Sequence, residues 1–437
     1  MIKIKIKKIG LSKIIYSLFF FLAPFAVSGF YQGISPIGPT SVVFMGLVFI
    51  YSLFYIFNKR YILLDKFELN IIFLFILPII FSIIGICFKI LTNDINYIAY
   101  IESDLLSRVI LIVFNITILI VLLNITKNWS LEKFKNLIKY YYYGVFLFLL
   151  IGVWQFFYFI FDIPYLSIET RTHIHSVKTI NFFINKRLTS LANEPSFFAP
   201  LIIDFILLSI ILTKKPAKAI ILGLSVLLFS YSGGGYLNLF IVLFASIFSY
   251  MKYKNYYISK KHLFLSIILL FFVFLLLVNY SNIFYKIGYP VLGRLGSMFD
   301  MQKHSRMFMI IMPFYWVFRD GILNSIFGYG PGSFKFLSLI EKLPNGKSVH
   351  VTSNNLFADT VFELGYFGFM SYIAIFFIFL TKSWRGLKNN INKFCAFILS
   401  VHLLTSSIYR ADFMQPRFWI LVFIIIKLID INSKNNI

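Results

Sequence analysis

Cysteine is almost absent from this chain. The two that occur, Cys87 and Cys395, lie inside apolar runs, which leaves no disulfide framework, no paired-cysteine metal site and no thiol pair for redox chemistry. Charge is nearly as scarce: 13% of the 437 residues are charged, and only 17 are acidic. A soluble globular domain carries about 25% charged residues, so an ordinary water-soluble fold is excluded. Long basic tracts are also missing, and with them the footprint of a nucleic-acid-binding tail.

What fills the chain is apolar. Hydrophobic residues make up 59% and aromatic residues 20% of it, and the mean hydropathy is +0.84. Runs of the roughly 20 apolar residues that cross a bilayer fall at 14–30, 40–57, 69–88, 106–124, 140–161, 195–212, 217–231, 235–250, 262–278, 356–380, 394–408 and 413–431. This pattern predicts an all-α polytopic membrane protein of about twelve transmembrane helices. Nine spans occupy residues 1–278, a large extracytoplasmic loop 279–355, and three spans 356–437. The first span imitates a secretory signal, with lysines before it and Ala26-Val27-Ser28 as a small-residue site. Its apolar stretch continues to Tyr31 and reads as an uncleaved anchor.

The formal net charge of +24 has a topological explanation. With Lys3, Lys5, Lys7, Lys8 and Lys13 in the cytoplasm, every even-numbered hairpin loop carries a basic cluster, as the positive-inside rule requires. The clusters are Lys59 and Arg60; Lys127, Lys133, Lys135 and Lys139; Lys214, Lys215 and Lys218; Lys252, Lys254, Lys260 and Lys261; and Lys382, Arg385, Lys388 and Lys393. Most acids fall on or near the opposite side, and both termini are expected to be cytoplasmic.

The loop from Asn279 to Asn355 is long enough to be functional. Within it, Arg306–Asp320 has an apolar face suited to a helix on the membrane surface. A turn follows, Gly328-Tyr329-Gly330-Pro331-Gly332, whose glycines let backbone approach a ligand or equally make a plain turn. The return into the membrane places Asn355, Asp359 and Glu363 at helical spacing, on one face at the mouth of a span. A second outside segment, Asp162–Asn193, holds Arg171, Lys178, Lys186 and Arg187 against the charge rule.

This order of an arginine-led surface helix, a Gly-x-Gly-x-Gly turn, and Asn, Glu and two glycines opening a span resembles the O-antigen ligase/polymerase superfamily. The recognisable stretches are about 187–200, 306–368 and 409–419. Arg187-Leu188-Thr189-Ser190-Leu191-Ala192-Asn193-Glu194-Pro195-Ser196 resembles the Arg…Glu-Pro-Ser opening of a mid-chain span in Wzy-type polymerases. Ligases typically have His before the Asn of the returning motif, where this chain has Asn354, and often an arginine where it has Ser232-Gly233-Gly234-Gly235. Both departures weigh toward polymerase.

The resemblance implies a GT-C-type glycosyltransferase fold and transfer of a glycan from undecaprenyl diphosphate to another lipid-linked repeat unit. It implies no metal or nucleotide, and as partners an undecaprenyl-diphosphate-linked oligosaccharide, membrane lipid, a chain-length regulator and a flippase. Such an enzyme must neutralise a diphosphate and remove a proton from a hydroxyl. Arginine suits the first task. Arg187, Arg306 and Arg410 are the catalytic candidates, and Arg294 and Arg417 are substrate-binding candidates that read as readily as snorkelling side chains. Glu194 or His350 is the candidate base, although Glu194 also fits a plain first-turn acid and His350 a solvated loop histidine. Asn355, Gly330, Gly332 and Glu363 are candidates for binding sugar.

His173 with His175, and Glu102 with Asp104, lack further ligands nearby in sequence, so no metal is expected. Asp204 is a functional candidate because it is an acid inside a span, though hydroxyl partners would also explain it. A transporter is the competing class, but no pair of similar halves is visible.

Overall fold

The computed structural model describes residues 11–27, 40–59, 62–165, 187–254, 305–350 and 352–431. Among the described residues the fold is helical, with no strand and an isolated antiparallel bridge between Lys342 and Ser348. The helices are α1 (Leu11–Leu22), α2 (Thr40–Lys59), α3 (Lys66–Ile90), α4 (Ile95–Tyr100), α5 (Leu106–Ile125), α6 (Leu131–Phe161), α7 (Pro195–Leu212), α8 (Ala217–Ser230) and α9 (Gly233–Lys254). After them come α10 (Ser305–Ile311), α11 (Pro313–Trp316), α12 (Ile322–Phe327), α13 (Phe334–Ile340), α14 (Leu356–Arg385), α15 (Ile391–Tyr409) and α16 (Pro416–Asp430).

Seven described helices are long and apolar enough to cross a membrane: α3, α4 running into α5, α6, α7, α9, α14 and α15. The chain is thus an all-α membrane-embedded protein. Shorter apolar helices cover Ile14–Val27, Met45–Lys59 and Ala217–Ser230, and the expected ninth span, 262–278, lies outside the described residues.

The sequence explains where the long helices begin. Ser130 accepts a hydrogen bond from the Lys133 amide at 3.3 Å, Asn355 from Ala358 at 2.9 Å and Asn390 from Lys393 at 3.0 Å, each capping an orphan donor. Pro195 opens α7, where its missing N–H costs nothing. Buried surface then sorts the helices: 83% of the apolar window of α7 is buried against 22% for α9, so α7 is central and α9 peripheral. Every residue of α16 from Pro416 to Ile429 is also buried. A helix apolar on all sides finds that environment in the middle of a bundle.

The two ends of the bundle differ. At one, Lys127 pairs with Asp65 at 2.9 Å, Lys382 stands over the Phe67 ring, and Lys252 donates to the Trp384 carbonyl at 3.0 Å. Three acids, Asp65, Glu68 and Asp430, gather there with their oxygens within 4.8 Å of one another. At the other end of α3, buried Lys89 pairs with Asp94 at 3.2 Å and Asp320 at 2.9 Å.

Over that second end the segment from α10 to α13 forms a cap with its own core, built on Tyr97, Trp316, Tyr329, Phe336 and Phe362. The single surface helix expected over Arg306–Asp320 is broken into α10 and α11, because Pro313 starts a new helix. The turn after it is stitched to α14. Gly365 (φ 70°) interrupts α14, and the amides of Tyr329 and Gly330 donate to the carbonyls of Phe362 at 3.1 Å and Glu363 at 2.8 Å. A Cβ on Gly365 would lie 2.1 Å from the Ile326 carbonyl oxygen, so glycine is required there on both conformational and steric grounds.

Candidate functional site

A chain of charged side chains runs from the centre of the bundle to the cap end. Asp204 on α7 is fully buried. It accepts hydrogen bonds from Tyr141 Oη of α6 at 2.7 Å and from Arg417 Nε and Nη2 of α16 at 2.7 and 3.1 Å. His402 Nε2 of α15 lies 2.9 Å from Asp204 Oδ1 and 2.9 Å from Arg417 Nη2. The His402 Nδ1 faces Asn238 Oδ1 at 3.1 Å, and Asn238 Nδ2 donates to Tyr409 Oη at 3.1 Å. Four helices and α9 are thereby tied through polar atoms in a setting where leaving such atoms unpaired is costly.

Arg417 continues the chain by donating through Nη1 to Asp412 Oδ2 at 3.1 Å. The other oxygen of Asp412 accepts from Arg410 Nε and Nη2, both at 3.2 Å. Arg410 then donates through Nη1 to Asn354 Oδ1 at 3.1 Å. Its guanidinium carbon lies 3.1 Å from the centroid of the Phe197 ring, on the first turn of α7. Two arginines thus alternate with two carboxylates, and Asp412 is shared between them. Burial pushes the Arg410 pKa below its ordinary value, Asp412 and Glu194 oppose that, and Arg306 adds to it. The Phe197 ring beneath Arg410 lies three residues along from Glu194, the N-cap of α7.

Glu194 and Arg306 themselves pair at 3.2 Å, and the same Glu194 oxygen accepts from Ser196 Oγ at 2.9 Å. Sequence residues 194, 306 and 410, widely separated along the chain, therefore meet near the N-terminus of α7. The local Arg410–Asp412 pair is formed too. Arg187 donates to the Tyr231 carbonyl at 3.0 Å, in the turn between α8 and α9. Arg417, read from sequence as a headgroup or ligand contact, is instead 1% exposed and held by Asp204 and Asp412.

The remaining candidates lie elsewhere. Asn355 is 4% exposed, and its amide is engaged at both ends, accepting from the Ala358 amide and donating to the Ile408 carbonyl at 2.7 Å. Asp359 accepts from the Ser353 amide at 2.8 Å, from Thr352 Oγ1 at 2.6 Å and from Ser353 Oγ. Gly330 and Gly332 adopt φ of 97° and 84° in the cap turn, above the half-buried Glu363 side chain. His350 is exposed at the end of the cap. Arg294 lies outside the described residues, as do His173 and His175. Asp104, considered as a metal ligand, pairs with Lys335 at 2.5 Å.

Sequence reasoning found Asp204 but not His402, Tyr141 or Asn238. The available signal was one His, one acid and one Arg, each inside a separate apolar span. No family model matches the chain, and no curated protein matches it either.

Proposed function

We propose that this protein is a Wzy-type polysaccharide polymerase. It would transfer a growing glycan from undecaprenyl diphosphate to the non-reducing end of another lipid-linked repeat unit, on the extracytoplasmic face of a bacterial inner membrane. Twelve spans, cytoplasmic termini and a GT-C-type arrangement belong to the same reading. The observation that carries it is that the Arg306–Glu194 pair and Arg410, over the Phe197 ring, both stand at the N-terminal turn of α7. All three stand in the segments whose motifs resemble the family.

In this mechanism Arg306 and Arg410, with Arg187, neutralise the diphosphate leaving group through charge-assisted hydrogen bonds. A diphosphate arriving at Arg306 competes with Glu194 for the guanidinium. The displaced carboxylate is then open to take the proton of the attacking hydroxyl, while the arginines hold the charge that develops on the leaving oxygen. Asn355 acts at one remove, holding the loop that presents Asn354 to Arg410. Gly330, Gly332 and Glu363 are proposed to contact the sugar, and His350 is the alternative base. The buried Asp204–His402–Arg417 cluster favours a second reading, a transporter of lipid-linked glycan, since ionisable groups inside spans mark transport routes.

The test is reconstitution of the purified protein in vesicles with lipid-linked repeat unit from its host, followed on a glycan gel. The wild type makes a ladder that Arg306→Ala and Arg410→Ala do not. Labelled lipid crossing the bilayer without any ladder sinks the polymerase reading in favour of transport.

A further inference from the structure

Away from the arginines, α1, the end of α5 and the first turns of α6 line a partly open cavity of about 350 Å³. Most of its wall is apolar, with Leu122 and Leu137 among the lining residues. One side is different, because Lys133 and Trp129 line it together, the ammonium standing 4.5 Å from the ring centroid. Tryptophan and lysine in that arrangement belong at a lipid–water boundary.

The wall also holds Ser17, whose Oγ is buried and has no hydrogen-bond partner among the described residues. Its neighbour in the wall, Thr126, does not share this state, since its hydroxyl donates to the Leu122 carbonyl at 2.7 Å. A buried unsatisfied hydroxyl costs about 1–3 kcal/mol, so the Ser17 hydroxyl calls for an acceptor from whatever fills the cavity. The occupant must therefore be apolar along most of its length, carry an oxygen acceptor part-way, and end in a negative group.

We propose that this cavity binds a glycerophospholipid with an anionic headgroup. An ester carbonyl accepts from Ser17, an acyl chain lies along Leu122 and Leu137, and the headgroup phosphate meets Lys133. Selection against zwitterionic lipid comes from Lys133 together with Lys135 and Lys139 on the same helix. Free phosphate would leave the apolar wall and Ser17 unserved. The site is independent of the polymerase reading.

Native mass spectrometry of the purified full-length protein tests this, with phosphatidylglycerol and phosphatidylcholine of identical acyl chains as probes. One phosphatidylglycerol is retained at concentrations where phosphatidylcholine is not. Lys133→Gln weakens retention about five-fold, the equivalent of one lysine near an anionic surface. Ser17→Leu, which removes the hydroxyl and narrows the cavity, weakens retention further, whereas Lys135→Gln, outside the wall, leaves a larger share than Lys133→Gln does. Lys133 is exposed, so its variant folds and carries the test even where Ser17→Leu does not. Equal retention of both lipids, or retention unchanged in Lys133→Gln, overturns the proposal. So does displacement of phosphatidylglycerol by an equal concentration of undecaprenyl phosphate, which would assign the cavity to the carrier lipid.

Discussion

Arg417 grips Asp204 through two nitrogens, Nε at 2.7 Å and Nη2 at 3.1 Å, and with its third it holds Asp412 at 3.1 Å. One guanidinium thus joins the middle of α7 to the turn that presents Arg410. Desolvating such groups is expensive, and the cost is met only while each charge keeps its partner.

Removing one partner leaves the other charge buried and unpaired, so the two losses should not add. Asp204→Asn and Arg417→Met are each expected to destabilise the protein by about 3–5 kcal/mol. The double variant should lose less than the sum of the two. Thermal unfolding in detergent measures this, and strictly additive losses would show that the pair is not coupled.

At the cap end, Arg410→Lys keeps the charge but not the planar fork that spans Asp412 and Asn354. Polymer formation should fall roughly 100-fold or more, as for loss of one group stabilising a transition-state anion. Arg410→Ala should fare no better while retaining the wild-type melting profile more closely than Arg417→Met does. Near-normal activity of Arg410→Lys in the vesicle assay would remove Arg410 from the proposed chemistry.

The kink in α14 gives a backbone prediction. Gly365→Ala places a methyl group against the Ile326 carbonyl at a residue with positive φ, a combination expected to cost more than about 1–3 kcal/mol. The damage should appear first in the cap, as faster proteolytic cleavage between residues 305 and 350. Cleavage at the wild-type rate would mean that the junction tolerates a side chain.

Sidedness is open to direct chemistry. With Cys87 and Cys395 replaced by alanine, Asn345→Cys in the cap and Lys388→Cys in the opposite loop each offer one exposed thiol. An impermeant maleimide added to intact cells should label Asn345→Cys at once and Lys388→Cys only after permeabilisation. The reverse order would invert the proposed topology.

How far the sequence foretold these features depended on their range. The α7 span was read as 195–212 and folds as Pro195–Leu212, because Pro195 and the end of the apolar run mark both limits locally. The start of α14 was equally plain, since Asn355 is its cap. By contrast α6 begins at Leu131 rather than 140; its first turns are rich in Lys and Tyr, and hydropathy passes over polar helix. The Arg306 helix was read as continuous because its apolar face hid the effect of Pro313. Asp204 stood out as an acid inside a span, but its partners come from α6, α15 and α16, and no local spacing announces contacts between distant spans. Glu194 with Arg306 was visible only as two members of one family-like set.

The hydrogen bonds from Tyr329 and Gly330 into the broken turn of α14 give the cap a mechanical character. They use main-chain atoms alone, so side-chain changes at Phe362 or Glu363 leave them standing, and lifting the cap means unpicking the helix itself. Among the described residues the segment is a roof built into the wall. Under the proposed function, a substrate carried on a long isoprenoid tail would reach this end from the lipid side, between helices, with the roof in place.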